Sequence, residues 1–270
     1  MEYEIKAKEK FHLGLGELIQ YRELFYYFAW RDIKVKYKQT ILGFAWAVLQ
    51  PLFMMLIFSF FFGKMLELSY LPYPVFVFSG LLMWNIFSSG LTNAGNSMVT
   101  NANIIKKIYF PRLIIPISSI LVALFDFMMA FLIFIGIMIY YHPHFILWHA
   151  IVFIPAAVFM AAFASLGPGM LLAALNAKYR DVRYIIPFLI QMLLFLTPVI
   201  YPVDKFNNPI LKIILSLNPV SGAINLFRSA ISYTPFDIHF FLISCSSGLV
   251  FFIVGLLYFR KTETFFADVI

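Results

Sequence analysis

The sequence predicts an all-α, polytopic membrane protein with six transmembrane helices, an N-terminal amphipathic helix at the membrane interface and both termini in the cytoplasm. Of its 270 residues, 62% are hydrophobic and 12% are charged, whereas a soluble domain carries about 25% charged residues. Apolar runs of about 20 residues, enough for one helical crossing, recur along the chain. Lys and Arg stand in short clusters between these runs, so the net charge of +7 indicates membrane loops and not nucleic acid.

Residues 1–40 are predicted to be a charged cytoplasmic tail followed by an amphipathic helix from Glu17 to Lys38. Such a helix lies in the membrane interface, with its cations near water or lipid phosphate and its rings at headgroup level. No loop is evident before the first span, so the helix is expected to run on into that span. Helical spacing gives two neighbouring stripes, namely Tyr27, Arg31, Lys34 and Lys38, and Tyr26, Trp30, Ile33 and Tyr37.

Six spans are expected in one transmembrane domain, residues 41–259, before a cytoplasmic tail at residues 260–270. Pro51, near the middle of the first span, removes a backbone donor and predicts a kink. The fourth span is long and is expected to be tilted or broken, with Pro155 and Gly167-Pro168-Gly169 as break points. The spans are Ile41–Phe62, Pro74–Val99, Leu113–Tyr141, Phe145–Leu175, Tyr184–Tyr201 and Ile238–Phe259.

Residues 203–236, between the fifth and sixth spans, are predicted to form an external helical hairpin that re-enters the membrane or lies at its surface. Two apolar pieces, Ile210–Leu217 and Val220–Ile231, are each too short to cross a bilayer. Asn207-Asn208-Pro209 and Asn218-Pro219 interrupt the stretch. Non-helical backbone at membrane depth is tolerated where protein or a water-filled cavity surrounds it, as at the mouth of a pathway.

The distribution of Lys and Arg predicts the orientation of the spans. The N-terminal arm carries eight of these cations, the 100–112 loop three, the 176–183 loop three and the C-terminal tail two, against four on the other side. Since cytoplasmic loops carry an excess of Lys and Arg, this distribution places both termini in the cytoplasm.

Motifs for ATP binding and for common enzymatic chemistry are absent from the sequence. No G-x-x-x-x-G-K-[ST], G-x-S-x-G or H-E-x-x-H occurs, so this chain is not expected to bind ATP in a P-loop or to act as an enzyme by itself. One cysteine, Cys245, gives neither a disulfide framework nor a Cys-based metal site.

Two groups of polar residues are interpreted as structural. The three histidines His142, His144 and His149 are read as an outer interfacial turn and not as a metal cluster, because no Cys or carboxylate is near. Asp126 is the one acid deep within a span. Since no other span supplies an ionisable partner for a relay, a satisfied helix–helix contact is favoured over proton transfer.

Aromatic residues make up 19% of the chain, and most of them are expected to face lipid or form the interfacial belts. Two faces that combine rings with an amide are candidate walls of a pathway. Such faces suit a neutral, amphipathic substrate. An ion pathway would instead require several carbonyl groups or several charged side chains arranged around it. The first face holds Trp46, Gln50, Phe53 and Ile57 of the first span, and the second holds Tyr184, Phe188, Gln191, Phe195 and Pro198 of the fifth.

A series of short motifs resembles the permeases of ABC type-2 polysaccharide exporters, which export O-antigen or teichoic-acid chains. The resemblance covers nearly the whole chain in the family's order, although no single motif would suffice alone. The motifs are WRDIKVKYKQT at 30–40, Leu42-Gly43, Trp46 and LQP at 49–51, IKKIYFPR at 105–112, YRDV at 179–182, TPVIYP at 197–202 and Asn218-Pro219.

The resemblance implies a homodimer in the bacterial cytoplasmic (inner) membrane, with two copies of a separate cytoplasmic P-loop ATPase subunit. That partner would bind ATP and Mg, so no cofactor is expected in this chain. The substrate would be a lipid-linked polysaccharide, and its pathway would lie between the two permease copies, walled mainly by the first and fifth spans.

Carried onto this sequence, the resemblance implies three sets of site residues. Candidates for coupling to the ATPase are Arg31, Asp32, Lys34, Lys38, Asn103, Lys106, Lys107 and Tyr109. Candidates for the pathway lining, chosen by helical phase, are Trp46, Gln50, Phe53, Tyr184, Phe188, Gln191 and Phe195. The external gate would include Pro202, Asn218 and Pro219, within the 203–236 hairpin and its approach.

Three alternatives stay open at this point. The same family includes exporters of drugs or lipids. A membrane-embedded transferase acting on a lipid-linked donor would need an acid or base at the surface, for which Asp181 and Asp204 are the nearby candidates. A passive channel would need no ATPase.

Overall fold

The computed structural model describes residues 15–38, 40, 43–66, 68, 71–141, 147–179, 181–206, 208–232, 236–263 and 266. Within these ranges the regular structure is helical and contains no strand, which confirms the all-α prediction. The helices are α1 (Leu15–Gln20), α2 (Arg22–Lys38), α3 (Ala45–Phe62), α4 (Tyr73–Thr100), α5 (Ala102–Ile105), α6 (Ile114–Tyr141), α7 (Leu147–Lys178), α8 (Val182–Leu196), α9 (Pro209–Ser216), α10 (Pro219–Ile231) and α11 (Ile238–Glu263), with a 3-10 turn at Val203–Lys205.

Five of the described helices, α3, α4, α6, α7 and α11, are long and apolar enough to cross a membrane. A sixth crossing is reached only if α9 and α10, which meet at a bend of 100°, are counted together as one broken span. The predicted fifth span corresponds to α8, which has 15 residues. A straight crossing needs about 20 residues, so α8 is too short for one. The chain is a multi-pass membrane protein with five or six candidate spans.

The predicted fourth span is one continuous helix, so the expectation that it could be broken is wrong. Both Pro155 and Pro168 lie inside α7. The Gly167-Pro168-Gly169 cluster serves close packing instead, because a Cβ atom on Gly255 of α11 would lie 2.1 Å from the carbonyl oxygen of Gly167. Small residues that let helix backbones approach are the usual means of packing helices in a bilayer.

Helix α4 forms the centre of the bundle and packs mainly against α6 and α7. Its apolar core includes stacked rings of Phe78 and Phe134, 6.0 Å apart, and the ring of Phe227 on α10 lies 5.5 Å from Phe134. Almost all of α10 is buried, against α4, α7 and α11. A helix so enclosed cannot lie flat on the surface of the bundle.

A second apolar cluster gathers the ends of several helices at one end of the molecule. Its buried members include Phe28 of α2, Met98 near the end of α4, Phe110 before α6, Met170 of α7 and Phe259 of α11. The cations of α2, of the 100–112 loop and of the last turn of α11 are therefore brought to the same end.

The passage from α2 to the first span is interrupted, so the prediction of a continuous helix there is wrong. Helix α2 ends at Lys38 and α3 begins at Ala45. Between them Gly43 adopts φ +51°, in the left-handed region that favours glycine and stops a right-handed helix. The predicted N-terminal helix is also divided at Tyr21, between α1 and α2.

Candidate functional site

The C-terminal end of α2 is bonded to the middle of α6. Lys36 Nζ lies 2.5 Å from Asp126 Oδ2, and the Tyr37 hydroxyl donates to Asp126 Oδ1. Burial, reinforced by the carboxylate of Asp126, raises the pKa of Tyr37 well above 10, so this phenol stays protonated and donates. The Tyr37 ring lies 4.5 Å from Phe44 and 6.2 Å from Phe125. The structure thus places Asp126 at a helix–helix contact, with partners from α2.

The two segments predicted to couple to an ATPase touch each other. Arg31 Nη2 lies 2.6 Å from Asp32 Oδ1 and 2.6 Å from Asn101 Oδ1, next to α5. One helical turn earlier, the rings of Phe28 and Phe110 are 5.5 Å apart. Arg31 and Asp32 are half-buried parts of this joint, whereas the other predicted coupling residues are exposed, namely Lys34, Lys38, Asn103, Lys106, Lys107 and Tyr109.

The exposed side of α2 forms a basic and aromatic surface. A cavity of about 410 Å³ on this side is lined by Trp30, Lys34 and Lys38, among others. The Lys34 ammonium lies 5.6 Å from the centre of the Trp30 ring, and Tyr26 stacks on the same ring at 6.4 Å. Cations held over rings, at a surface and not in a core, suit an acidic partner or a lipid phosphate.

The seven residues predicted to line a pathway are all exposed, although Trp46 and Gln50 also border a cavity between α3 and its neighbours α2, α4 and α6. Pro198, which the sequence placed on the same face of the fifth span, lies beyond the end of α8 and is buried. Helix α3 buries Pro51, Met55 and Phe58, and α8 buries Val182 and Ile186. Helix α3 is held by α4 and α6, whereas α8 is held by α4 and α7, so the structure does not show the two predicted walls as one surface. The exposed residues are Trp46, Gln50 and Phe53 on α3, and Tyr184, Phe188, Gln191 and Phe195 on α8.

The residues predicted to form an external gate lie where α8 ends and α10 begins. Pro202 and Pro219 are buried. Asn218 caps α10, accepting from Val220 N at 3.3 Å, and its Nδ2 donates to Thr197 Oγ1 at 2.7 Å. Asn-Pro is therefore a helix start here, with a capping side chain followed by a proline at the first helical position. The TPVIYP segment and Asn218-Pro219 meet through this bond.

Arg228 is a functional candidate that the sequence reasoning missed, because it was counted only as one of the cations on the outer side. Its side chain lies in the last turn of α10 and the residue is 8% exposed. The guanidinium donates to Pro198 O and Val199 O, both at 2.7 Å, and to Phe76 O at 3.2 Å, and lies 3.5 Å from the centre of the Phe76 ring.

These contacts satisfy two carbonyl groups of the non-helical 197–202 segment and fasten it to α4. Backbone that is not helical can lie at membrane depth only when protein groups satisfy it. A single charged residue, Arg228, in a mainly apolar segment too short to span was the available signal for this role.

The described residues contain no group of three or more His, Cys, Asp and Glu side chains that could hold a metal ion. His142 and His144 lie outside the described residues, and the ring of His149 stacks on Phe153 at 5.4 Å.

Comparison with known proteins agrees with these features. Residues 23–232 match the family described as ABC-2 type transporter. The O-antigen export system permease protein RfbA of Klebsiella pneumoniae is 28% identical over 241 residues, which are 89% of this chain and 92% of that protein. RfbA of Myxococcus xanthus is 28% identical over 79% of this chain and 82% of its own length. The polysialic acid transport protein KpsM of Escherichia coli is 23% identical over 74% of this chain and 78% of its own length.

Proposed function

This chain belongs to the ABC-2 type transporter family, and we propose that it is the membrane subunit of an ATP-driven exporter of a lipid-linked polysaccharide. The export would cross the cytoplasmic membrane of a bacterium. The observation that carries the proposal is the similarity, along almost the full length of both chains, to permeases named for O-antigen export. The match to a polysialic acid transport protein supports a polysaccharide over a drug or a lipid.

The energy for export comes from a separate cytoplasmic P-loop ATPase subunit, present in two copies. This chain has no P-loop motif, so ATP and Mg²⁺ are bound by that partner. The basic and aromatic side of α2 and the exposed tip around Lys106, Lys107 and Tyr109 are the docking candidates. The two surfaces are connected by the bond between Arg31 and Asn101 and by the contact between Phe28 and Phe110. A displacement of one surface would therefore displace the other.

The exported chain passes between two copies of this protein, against α3 and α8. Both helices expose wide faces that contain an amide, Gln50 on α3 and Gln191 on α8. Polar side chains that face lipid are costly, so such faces are better satisfied by a second copy or by a hydroxyl-rich substrate. Aromatic side chains on the same faces can stack on the C–H faces of sugar rings.

Both chain ends face the cytoplasm, and the α9–α10 hairpin closes the outer exit. The excess of Lys and Arg on one side supports this orientation, and the ends bearing those cations lie together in the fold. The bond between Asn218 and Thr197 and the contacts of Arg228 hold the hairpin against the end of α8.

Deletion of the gene in its own bacterium tests the proposal. Surface polysaccharide should be lost and a lipid-linked chain should accumulate inside, and both effects should be reversed by the wild-type gene together with its ATPase. The double variant Lys34→Glu with Lys38→Glu should fold, bind less ATPase and export less, while Lys205→Glu, an exposed cation remote from α2, serves as the control. Unchanged surface polysaccharide after deletion would refute the function.

A further inference from the structure

Helix α4 carries a short polar face whose side chains have no partner within the described part of the chain. Asn85, Ser88 and Ser89 follow the i, i+3, i+4 spacing of one helix face and are half-buried. Several other polar side chains of the same helix bond to its own backbone, whereas Asn93 makes no hydrogen bond in the described part of the chain but lies outside the cavity lining described next. Thr92 donates to Ser88 O, Asn96 to Thr92 O and Ser97 to Ala94 O. The side chains of Asn85, Ser88 and Ser89 thus keep their donors and acceptors available. An unpaired polar group in a membrane helix is costly.

These three side chains line a cavity of about 130 Å³ between α2, α3, α4 and α6. The cavity has room for about four water molecules, so it can take the hydroxyl edge of one sugar residue and not a long segment of a polymer. Trp46 and Gln50 of α3 line the same cavity, as do Lys36 and Asp126. The polar face of α4 therefore adjoins the face of α3 that carries two predicted pathway residues.

The charges at the cavity select for a neutral ligand. Lys36 and Asp126 are paired at 2.5 Å, so the two ionised groups compensate each other. A phosphate placed here would meet the carboxylate, and an ammonium would meet the lysine. Amides and hydroxyls offer both donors and acceptors, which matches the hydroxyl groups of a sugar.

The indole of Trp46 gives the site an aromatic side. Trp46 is 57% exposed, stands in the first turn of α3 and is part of the cavity lining. Large rings bearing one polar group suit ligands with one apolar and one polar side, as a sugar ring has. Stacking at one side and hydrogen bonds at the other are the two contacts that a neutral sugar residue can make.

We propose that this cavity is a binding subsite for one neutral sugar residue of the exported chain, with Asn85, Ser88, Ser89 and Gln50 as hydrogen-bonding residues and Trp46 as the stacking residue. The inference rests on the proposed function, since it names how that substrate is held at the inner part of the pathway. It adds α4 to the walls that the substrate meets.

Protection of an introduced cysteine tests occupancy. The single native cysteine allows a cysteine-free background, Cys245→Ser, into which Ser89→Cys or the control Asn93→Cys is placed. The chain is prepared with its ATPase in membranes from cells that make the polysaccharide and from cells blocked in its synthesis, and is treated with a water-soluble methanethiosulfonate. Labelling of Ser89→Cys should be about tenfold slower with the polysaccharide present, as expected from loss of access at a site held by one or two hydrogen bonds.

Labelling of Asn93→Cys, a residue of the same helix outside the cavity lining, should not respond to the polysaccharide. Equal labelling of Ser89→Cys in both membranes would overturn the subsite. Protection that persists in the membranes without polysaccharide would overturn it as well, because a membrane lipid would then be the occupant.

An export assay separates this inference from the proposed function. Asn85→Leu with Ser89→Ala keeps the helix and removes the polar groups, and export should fall by about tenfold at an unchanged amount of chain. Asn93→Leu is the matched control. If the leucine variant does not fold, Ser88→Ala with Ser89→Ala, which removes only two hydroxyl groups, takes its place. Loss of export on gene deletion together with normal export by the folded pocket variants would refute the subsite and leave the function standing. Normal polysaccharide after deletion would refute both.

Discussion

Helices α3 and α4 are consecutive candidate membrane spans, yet they differ greatly in how much of each is buried in the bundle. In the most apolar stretch of each helix, 11% of the residues are buried in α3 and 78% in α4, although α3 is the more apolar of the two. In a bilayer, hydrophobicity does not drive helices together, because lipid tails are as apolar as leucine. Burial instead follows small residues. Helix α4 contains Gly80, Gly90 and Gly95, each in close contact with a neighbour, and α3 contains no glycine.

The comparison separates a packed centre, around α4, from the exposed faces of α3 and α8, which are called the wall below. The centre is complete within one chain, and a substitution there should act on stability. The exposed faces of α3 and α8, which we propose as the pathway wall, make few contacts within the chain, so a substitution there should act on transport. Four sets of variants test this division.

The largest effect is expected at Arg228, which fastens α4 to the segment after α8. Arg228→Met removes the donor from Pro198 O, Val199 O and Phe76 O and leaves buried carbonyl groups without it. The free energy of unfolding should fall by about 4 kcal/mol, since each buried group left unsatisfied costs about 1–3 kcal/mol. Thermal unfolding in detergent measures the loss, and Lys205→Met, which removes an exposed cation, should change little.

A smaller loss is expected when the close packing of α4 is disturbed. A Cβ atom on Gly90 would lie 2.6 Å from Ser165 Oγ and 3.0 Å from Ser165 Cβ on α7. Gly90→Leu should lower the stability by about 2 kcal/mol, the usual cost of overpacking. In the control Gly136→Leu on α6 the new Cβ atom meets nothing within 4 Å. If both variants were equally stable, small residues would not explain why α4 is buried.

The joint between α2 and α6 should contribute less to stability than Arg228 or Gly90 does. It should contribute more to the coupling of ATP hydrolysis to transport. Asp126→Asn keeps an acceptor for Tyr37 and removes the charge that faces Lys36. Since the Lys36 side chain is 42% exposed, solvent screens the pair and the loss should be about 1 kcal/mol or less.

Transport activity and ATP hydrolysis by the complex should become uncoupled in Asp126→Asn. The charge swap Lys36→Asp with Asp126→Lys should recover part of the coupling. Full coupling in the single variant would show that this pair does not transmit movement.

The smallest change in stability is expected at the wall. Phe53→Ala or Phe188→Ala removes an exposed ring, so unfolding should change by less than about 0.5 kcal/mol, as is usual for surface positions. Phe78→Ala, in the buried centre, is the matched control and should cost about 3 kcal/mol. Export per amount of folded protein should instead fall more in Phe53→Ala and Phe188→Ala than in Phe78→Ala. The amounts of the two wall variants should be normal. A strongly destabilised Phe53→Ala would contradict the division.

The long apolar runs and the cation clusters were enough to predict the helical class and the regions of the five long spans. The same reasoning could not predict that α10 is enclosed or that Arg228 is buried. Arg228 and Phe76 are 152 residues apart, and nothing local to either residue indicates the contact. The Asn-Pro pairs were read as interruptions, whereas Asn208 and Asn218 cap the helices that follow.

For the candidate site, helical phase placed the predicted wall residues on exposed faces, but it could not tell a lipid face from a pathway face. Both are apolar with scattered rings. The polar face of α4 was passed over for a related reason. Asn85, Ser88 and Ser89 resemble the serines that bond to their own backbone, and only the structure shows that their side chains do not.

The left-handed residue Gly43 separates helix α2 from the span α3, which has a mechanical consequence for any force applied to α2. A Cβ atom there would meet nothing within 4 Å, so the glycine is needed for its φ of +51° and not for space. A single stiff rod from α2 into α3 would transmit torque directly to the wall. Because the helix is interrupted at Gly43, a force on α2 would reach α6 first, through the bonds of Lys36 and Tyr37 to Asp126, and then the central helix α4 that packs on α6. Helix α3, held by α4 and α6, would then follow the rest of the bundle.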